Sequence, residues 1–309
     1  MKIGFLTACL PQLSLQDLVK WAAGQGFQAL ELAAWPSDTE RDYQARQIDA
    51  ANFKKDDAKR IKDLMAKYKI TISAMAYYEN NLHPDLKKRK FYIDHLQHVI
   101  DTAALLGVPL VGTFVGARTD ISPTENIKEI SKVFKKIVSY AGDKGIKIMI
   151  ENCPMVNWVQ FGMPGNYAYS PELWSALFNE VSAENFGLNF DPSHLYWLGI
   201  DYIQAVKYYS KKIFHAHAKD TEMLPEGTFR FGIFGRQIDP QPWKSGWWRY
   251  RIPGLGAIDW KKFIATLQES GYDYVLSIEH EDPVWEGSVE KVKQGLLLGV
   301  KHLAQFVLQ

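Results

Sequence analysis

The sequence predicts an α/β protein that forms a single (β/α)8 TIM barrel over residues 1–309. Short apolar runs of strand character alternate with amphipathic helical segments along the whole chain, and eight of each are present. Strict alternation implies parallel strands joined by helical crossovers. Eight such units in 309 residues match the usual size of this barrel. No Gly-rich phosphate-binding motif follows the first strand, which disfavours a doubly wound open sheet.

The predicted strands are short apolar runs, as expected for a parallel sheet that is buried on both faces. They comprise residues 2–7, 28–32, 70–76, 109–114, 146–151, 186–191, 212–217 and 274–279. Two long loops interrupt the alternation, at 33–53 after strand two and at 221–258 after strand seven. Both would lie at the carboxyl ends of the strands, where the functional sites of this fold are found.

The predicted helices show apolar residues at helical spacing and recognisable end signals. Ser14 and Asp259 are candidate N-caps, Pro171 suits a first turn, and Gly107 and Gly145 follow helices as stop signals. The helices comprise residues 14–25, 54–68, 85–106, 123–144, 170–180, 201–210, 259–270 and 289–307.

The composition is that of a globular protein, with 47% hydrophobic residues, 23% charged residues and a formal net charge of +1. Such a small charge gives no overall field that would favour nucleic acid or an anionic membrane. Cys9 and Cys153 make neither a disulfide framework nor a thiolate metal site. No apolar run reaches transmembrane length, and residues 1–10 resemble a strand more than a signal sequence. We therefore expect a cytoplasmic protein.

Carboxylates or histidines end four consecutive predicted strands. Glu151 ends strand five, Asp191 strand six, His217 strand seven and Glu279 strand eight. Neighbouring strands of a barrel bring such side chains together. Three carboxylates and one imidazole suit a hard cation, and without one the carboxylates would repel each other. We predict one divalent metal ion held by these residues, with Mn²⁺ favoured and Mg²⁺, Co²⁺ or Zn²⁺ as alternatives.

Two choices stay open in this assignment. His215 shares a strand face with His217, and Glu281 shares one with Glu279. The structural alternative is that some of the carboxylates form ion pairs with Lys219 or Arg251.

At these strand ends the chain resembles the sugar phosphate isomerase/epimerase family of xylose isomerase-like barrels. That family includes ketose 3-epimerases, inosose dehydratases and endonuclease IV. The resemblance covers the whole chain and is most specific at Ile-Glu151-Asn-Cys-Pro, Asp191-Pro-Ser-His194, His215-Ala-His217-Ala-Lys-Asp, Arg251-Ile-Pro-Gly-Leu-Gly and Ser-Ile-Glu279-His-Glu-Asp. It implies metal ligands at Glu151, Asp191, His217 and Glu279 and a substrate contact at His194. It also implies that Glu151 and Glu279 act as an acid–base pair on opposite faces of the substrate.

The chain departs from two branches of that family. Ketose 3-epimerases carry a second Glu six residues after the position of Glu151, where this chain has Asn157. Endonuclease IV uses three metal ions and further histidines at the ends of strands three and four. Here those ends read Met75-Ala-Tyr-Tyr and Gly112-Thr-Phe-Val. The small net charge also argues against a DNA substrate.

The loop after strand seven is rich in aromatic and basic residues, namely Trp243, Trp247, Trp248, Arg249, Tyr250 and Arg251. Indole rings stack on sugars, and Arg binds hydroxyl or phosphate groups. The alternative is a hydrophobic plug or an oligomer contact. We predict substrate contacts from His194, Lys219, Trp248, Arg249 and Arg251, with Trp158 and Trp197 as further candidates. No phosphate cradle is visible, which favours a free or glycosylated sugar.

Together these features predict a metal-dependent sugar isomerase or epimerase that abstracts a proton next to a carbonyl group. The alternative reaction is β-elimination by a lyase, deglycosidase or dehydratase acting on a 3-oxo-glycoside or a keto-inositol. A non-catalytic sugar-binding barrel would not need both glutamates and a metal ion. The expected partner is a small sugar or sugar glycoside, with neither nucleic acid nor membrane. A homo-oligomer or a partner subunit stays open.

Overall fold

The computed structural model of the chain describes residues 1–36, 45–156, 164–235, 237–238 and 246–307. Asn157, Trp158 and Trp243, which are named above, lie outside these residues.

Eight parallel strands close into a barrel, which confirms the predicted TIM barrel. The barrel strands are β1 (Lys2–Leu6), β2 (Ala29–Ala33), β3 (Thr71–Asn80), β4 (Leu110–Phe114), β5 (Lys147–Glu151), β6 (Phe186–Phe190), β7 (Ile213–Ala218) and β10 (Val275–Ile278). Between β7 and β10, β8 (Asp220–Met223) and β9 (Trp248–Arg251) form a separate hairpin. In the barrel β7 pairs with β10, and β10 pairs with β1. The carboxyl ends of the barrel strands therefore meet at one rim.

Helices, most of them on the outside of the barrel, connect the strands. They are α1 (Leu15–Gly24), α2 (Lys55–Tyr68), α3 (Leu86–Leu106), α4 (Pro123–Gly142), α5 (Pro171–Glu180), α6 (Pro192–Trp197), α7 (Tyr202–Tyr209), α8 (Pro225–Phe231), α9 (Trp260–Glu269) and α10 (Val289–Leu303). The exceptions are α6 and α8, which lie at the rim. The predicted N-caps are confirmed, because Ser14 accepts a hydrogen bond from the Asp17 backbone and Asp259 from the Lys262 backbone. No helix in the described ranges is long and apolar enough to cross a membrane.

The rim carries three elements that the sequence did not predict. Helix α6 begins directly after Asp191, whose carboxylate accepts a hydrogen bond from the Ser193 backbone, with Pro192 at the first helical position. The loop after β7 contains helix α8 and the antiparallel hairpin of β8 and β9. The hairpin pairs Thr221 with Tyr250 and thereby places β9 beside the rim.

The barrel interior changes from apolar to polar along its axis. A small apolar layer of Ala74, Leu110 and Met149 fills the end nearest the strand starts. Above this layer the interior is polar. The absence of a side chain at Gly112 leaves space there for a polar group, the phenol of Tyr78. A Cβ at Gly112 would lie 2.3 Å from the phenol oxygen of Tyr78, so only glycine leaves room for that phenol inside the barrel.

Candidate active site

Four buried side chains converge at the carboxyl rim of the barrel. Glu151 is the last residue of β5, Asp191 follows β6, His217 lies in β7 and Glu279 follows β10. These strands are consecutive in the barrel. Each residue offers one possible ligand atom, and these atoms all lie within 4.8 Å of one another. We call these residues the ligand group.

Two atoms of the ligand group are buried without a hydrogen-bond partner among the described residues, Oδ2 of Asp191 and Nδ1 of His217. The Nδ1 atom lies 3.0 Å from Oε2 of Glu279 and 3.5 Å from Oε1 of Glu151. Buried polar atoms are nearly always satisfied, so two possible ligand atoms without a hydrogen-bond partner, side by side among carboxylates, indicate a position for a cation. The oxygen-rich donor set fits a divalent metal ion.

A buried carboxylate fixes the other side of the His217 ring. Nε2 of His217 lies 2.9 Å from Oε2 of Glu31, in β2. Glu31 also accepts hydrogen bonds from the Tyr78 hydroxyl at 2.6 Å and from the Ser277 hydroxyl at 2.9 Å. Because a carboxylate only accepts, Nε2 carries a proton and Nδ1 faces the ligand group. Burial would raise the pKa of Glu31, but the charge of His217 and the hydrogen bonds lower it to about 2.

The carboxyl groups of the ligand group differ strongly in acidity. Burial, reinforced by the charge of Glu279, raises the pKa of Glu151 to about 8. Burial also raises the pKa of Asp191. For Glu279 burial acts in the same direction, but the charges of Lys219 and His217 outweigh it and lower the pKa. Without a cation the group therefore retains protons, which a metal ion would displace.

Lys219 lies inside this site. Its ammonium group is 2.8 Å from Oε2 of Glu279, 3.0 Å from Oε2 of Glu281 and 3.4 Å from Oδ2 of Asp191. Burial lowers the pKa of Lys219, but the surrounding carboxylates raise it well above its usual value. Ion pairing between Lys219 and site carboxylates was given above as the structural alternative. These ion pairs are present, and they lie beside the two unpartnered atoms, Oδ2 of Asp191 and Nδ1 of His217.

His194 connects the ligand group to the hairpin. Its Nε2 atom lies 3.2 Å from Oε1 of Glu151 and 3.3 Å from Oδ2 of Asp191. Its Nδ1 atom lies 2.9 Å from the hydroxyl of Tyr250. Burial, followed by the positive charge of Lys219, lowers the pKa of His194 well below its usual value, so the ring is neutral.

Hydrogen bonds fix the backbone beneath two members of the ligand group. The Asn152 side chain donates to the carbonyl of Asp191 at 2.8 Å and accepts from the Asp191 backbone N–H at 2.7 Å. Asn166 donates to the carbonyl of Glu151 at 3.0 Å. These bonds hold β5 and β6 in register beyond their last paired residues.

The other predicted substrate contacts lie on the hairpin, away from the ligand group. Arg249 binds Glu222 at 2.7 Å, and Arg251 binds Glu222 and Asp282. Strand alternation explains this arrangement, because it places both arginines on the face of β9 opposite Tyr250. The ring of Trp248 stacks on Trp197 with centroids 4.4 Å apart, and each side chain is less than a tenth exposed.

The structure gives the positions of His215 and Glu281, the two residues that strand alternation left as alternatives to His217 and Glu279. His215 lies deeper in the barrel, where it contacts Asn189 at 3.0 Å and Ser73 at 3.1 Å. Glu281 contacts Lys219 and stands outside the ligand group. Sequence reasoning did not single out Glu31, and it named Tyr250 in the aromatic loop after strand seven without listing it among the substrate contacts. Their signals were a lone carboxylate in the apolar run 29–33 and the alternation of residues 248–251.

Curated relatives match most of the chain. The uncharacterized protein YfiH of Bacillus subtilis (strain 168) is 26% identical over 299 residues, which cover 91% of this chain and 93% of YfiH. An inosose isomerase of Bacillus licheniformis is 26% identical over 218 residues, which cover 68% of this chain and 66% of that enzyme.

Solved structures share the fold. The IOLI protein with a binding zinc atom superposes with a TM-score of 0.72 at 22% identity, with 100% of both chains covered. A D-tagatose 3-epimerase-like protein gives a TM-score of 0.70 at 20% identity, covering 99% of this chain and 98% of its own. The family model described as xylose isomerase-like TIM barrel matches residues 19–302. The chain therefore belongs to the xylose isomerase-like TIM barrel family.

Proposed function

We propose that this protein is a divalent-metal-dependent isomerase or epimerase of a sugar-like ketone. The observation that carries the proposal is the buried ligand group, in which Asp191 and His217 each have a buried ligand atom without a hydrogen-bond partner among the described residues. The inosose isomerases among the relatives and the epimerase-like fold neighbour support the class of reaction.

Glu151, Asp191, His217 and Glu279 would hold the cation, and their oxygen-rich set favours Mn²⁺. The zinc atom of the IOLI structure supports a divalent ion and keeps Zn²⁺ as an alternative. When bound, such an ion polarises the substrate carbonyl and stabilises the negative charge that develops as the neighbouring C–H bond loses its proton.

The proton itself would move between substrate carbon and a glutamate. Oε1 of Glu151 contacts His194 and His217, and Oε2 of Glu279 contacts His217 and Lys219. In the described part of the chain, the second oxygen of each carboxyl has no hydrogen bond, so it is available as base or acid. Epimerisation uses both glutamates, one removing a proton and the other returning one to the opposite face. Isomerisation needs only one.

Two further residues would orient the substrate. His194 and the ammonium group of Lys219 lie beside the ligand group and can each donate a hydrogen bond to a sugar oxygen. Arg249, Arg251 and Trp248 remain predictions for more distant parts of a substrate, because the arginines bind Glu222 and Asp282 and Trp248 stacks on Trp197 in α6.

We also propose a single-domain, cytoplasmic enzyme. A barrel closed by strands from both ends of the chain supports one domain. The two free cysteines, Cys9 and Cys153, agree with a reducing compartment.

Deuterium incorporation tests the reaction. The Mn²⁺-loaded protein is incubated in D₂O with an inosose, with D-tagatose and with a 3-oxo-glucoside, and NMR spectra are recorded after the metal has been removed. Deuterium on the carbon next to the carbonyl, with the carbon skeleton intact, supports the proposal. Release of the aglycone from the 3-oxo-glucoside without any such exchange assigns a lyase instead. Chelated protein is the control and should leave all three compounds unlabelled.

A further inference from the structure

The β8–β9 hairpin stands outside the barrel, yet it delivers one residue to the site. The hydroxyl of Tyr250 lies 2.9 Å from Nδ1 of His194, and the two rings meet edge to face at 87°. The face of the same phenol ring lies 4.3 Å from the ammonium nitrogen of Lys219. Tyr250 therefore contacts both residues that flank the ligand group.

The position of Tyr250 is fixed by the loops around it. Opposite β9, the carboxylate of Asp220 accepts hydrogen bonds from the backbone of Gly254 and Ile258 and from the Trp260 indole, all at 2.8–2.9 Å. On the next residue along β9, Arg251 binds Asp282 at 2.9 Å. On the other side of Tyr250, Arg249 binds Glu222 at 2.7 Å. A side chain whose neighbours along the strand are anchored in this way is suited to orienting the groups it contacts.

The contacts of His194 determine which ring nitrogen carries the proton. Two carboxylate oxygens, from Glu151 and Asp191, lie within 3.3 Å of Nε2. With a metal ion bound, both groups would be ionised carboxylates, which only accept hydrogen bonds, so the proton belongs on Nε2. Nδ1 of the neutral ring is then an acceptor, and the Tyr250 hydroxyl is its donor. Burial supports this role, because it raises the pKa of Tyr250 well above its usual value and keeps the phenol protonated.

We propose that Tyr250 is a positioning residue that holds the His194 proton on Nε2, so that His194 meets the substrate only as a hydrogen-bond donor. This inference rests on the proposed function and narrows its substrate. The group opposite His194 must be an acceptor, a carbonyl oxygen or the oxyanion formed when the adjacent C–H bond loses its proton. In this role His194 donates a hydrogen bond, and the proton from carbon goes to a glutamate.

The tautomer of His194 can be read directly. The full-length protein is labelled with ¹⁵N-histidine, loaded with Zn²⁺, and examined by long-range ¹H–¹⁵N NMR at neutral pH. The His194 signals are identified by their loss in His194→Gln. The proposal expects a protonated Nε2 and a bare, hydrogen-bonded Nδ1. A proton on Nδ1, or on both nitrogens, would overturn it.

Two tyrosine variants test the cause. In Tyr250→Phe the Nδ1 resonance should move to the position of a nitrogen without a hydrogen bond, or split between two tautomers. The matched control is Tyr140→Phe, which removes a hydroxyl bound to Asp101 on the outside of the barrel. That control should leave the His194 signals unchanged. An unchanged His194 spectrum in Tyr250→Phe would contradict the proposal.

Kinetics with an inosose as the probe separate positioning from binding. Tyr250→Phe should lower kcat by about tenfold or more, with a much smaller change in KM, because the donor acts where negative charge develops. A loss confined to KM would overturn the positioning role. If the protein exchanges no proton of any sugar ketone, the proposed function fails, while the NMR result still decides the tautomer.

Discussion

Oε2 of Glu31 lies 2.9 Å from Nε2 of His217, although the two residues belong to β2 and β7, which are not neighbours in the barrel. The contact crosses the barrel interior beneath the ligand group. It leaves Nδ1 of His217 directed at Glu151 and Glu279, as the ring nitrogen that a metal ion would use. A carboxylate behind a ligating histidine orients the ring and increases its basicity.

Replacing Glu31 by Gln should therefore weaken metal binding. An amide is a poorer acceptor for the Nε2 proton, and the expected loss of Mn²⁺ affinity is about 10- to 100-fold. Isothermal titration calorimetry measures it. Glu222→Gln, which alters a glutamate bound to Arg249 on the hairpin, is the control and should bind Mn²⁺ as the parent does. Equal affinities in the two variants would exclude the role assigned to Glu31.

Glu279→Gln should abolish proton exchange while the barrel still folds. Loss of a general acid or base costs about 10²- to 10⁴-fold in rate. Lys219 retains Glu281 and Asp191 as partners, so the buried ammonium group is not left alone. Deuterium incorporation measures activity, and circular dichroism checks the fold. A folded variant with full activity would remove Glu279 from the reaction.

Metal binding should stabilise the fold. A ligand that binds only the native state at about 100 times its Kd contributes about 2.7 kcal/mol. For a chain of this size that corresponds to a rise in Tm of about 5 °C, measured by calorimetry with Mn²⁺ and with chelator. Asp191→Asn removes a charged ligand and should lose most of the shift. A Tm that does not respond to any divalent ion would argue against the metal site.

Asn152→Ala should affect both stability and metal binding. It removes the hydrogen bonds to both backbone groups of Asp191, at an expected cost of about 1–3 kcal/mol in the free energy of unfolding. Because Asp191 then loses its support, Mn²⁺ affinity should fall as well. Asn185→Ala is matched to it, since Asn185 also donates to two backbone carbonyls, those of Val138 in α4 and of Ile146 just before β5. This control should lose stability but retain affinity.

His95 should make stability depend on pH. Its ring is buried against Tyr77, with Nε2 2.7 Å from the carbonyl of Ala34, and burial lowers its pKa below the usual 6.5. The folded state thus binds fewer protons than the unfolded state just below pH 6.5. The contribution of His95 to the free energy of unfolding is therefore complete above pH 6.5 and declines as the solution is acidified.

Denaturant titrations at pH 7 and pH 5 measure this slope. His95→Gln keeps a donor for the Ala34 carbonyl but does not titrate, so the stability lost between the two pH values should be smaller than in the parent. An unchanged slope would show that His95 does not titrate differently on folding.

The ligand group was accessible to sequence reasoning because its members end consecutive strands, and parallel topology alone brings such residues to one rim. Glu31 was not, because every residue of β2 is buried and alternation cannot tell the barrel interior from the helix side. The hairpin was also beyond reach. Its pairing depends on contacts such as Glu222 with Arg249, across 27 positions, that no local pattern encodes.

The same limit explains why the contacts of Arg249, Arg251 and Trp248 could not be predicted from the sequence. Their types suggest sugar binding, but only the strand pairing reveals that the arginines face Glu222 and that the Trp248 ring is covered by Trp197. Helix α6 is a different case. The signals for it, Asp191 as cap and Pro192 after it, were present but coincided with the predicted end of a strand.

The apolar layer of Ala74, Leu110 and Met149 has a kinetic consequence. Among the described residues it fills the base of the barrel beneath the polar interior, so the carboxyl rim is the side from which a small molecule would reach the ligand group. Under the proposed function, reactant and product would then enter and leave by the same rim and compete for the same site. For a reversible reaction this means that accumulating product competes with fresh reactant, and that net flux follows the ratio of the two concentrations.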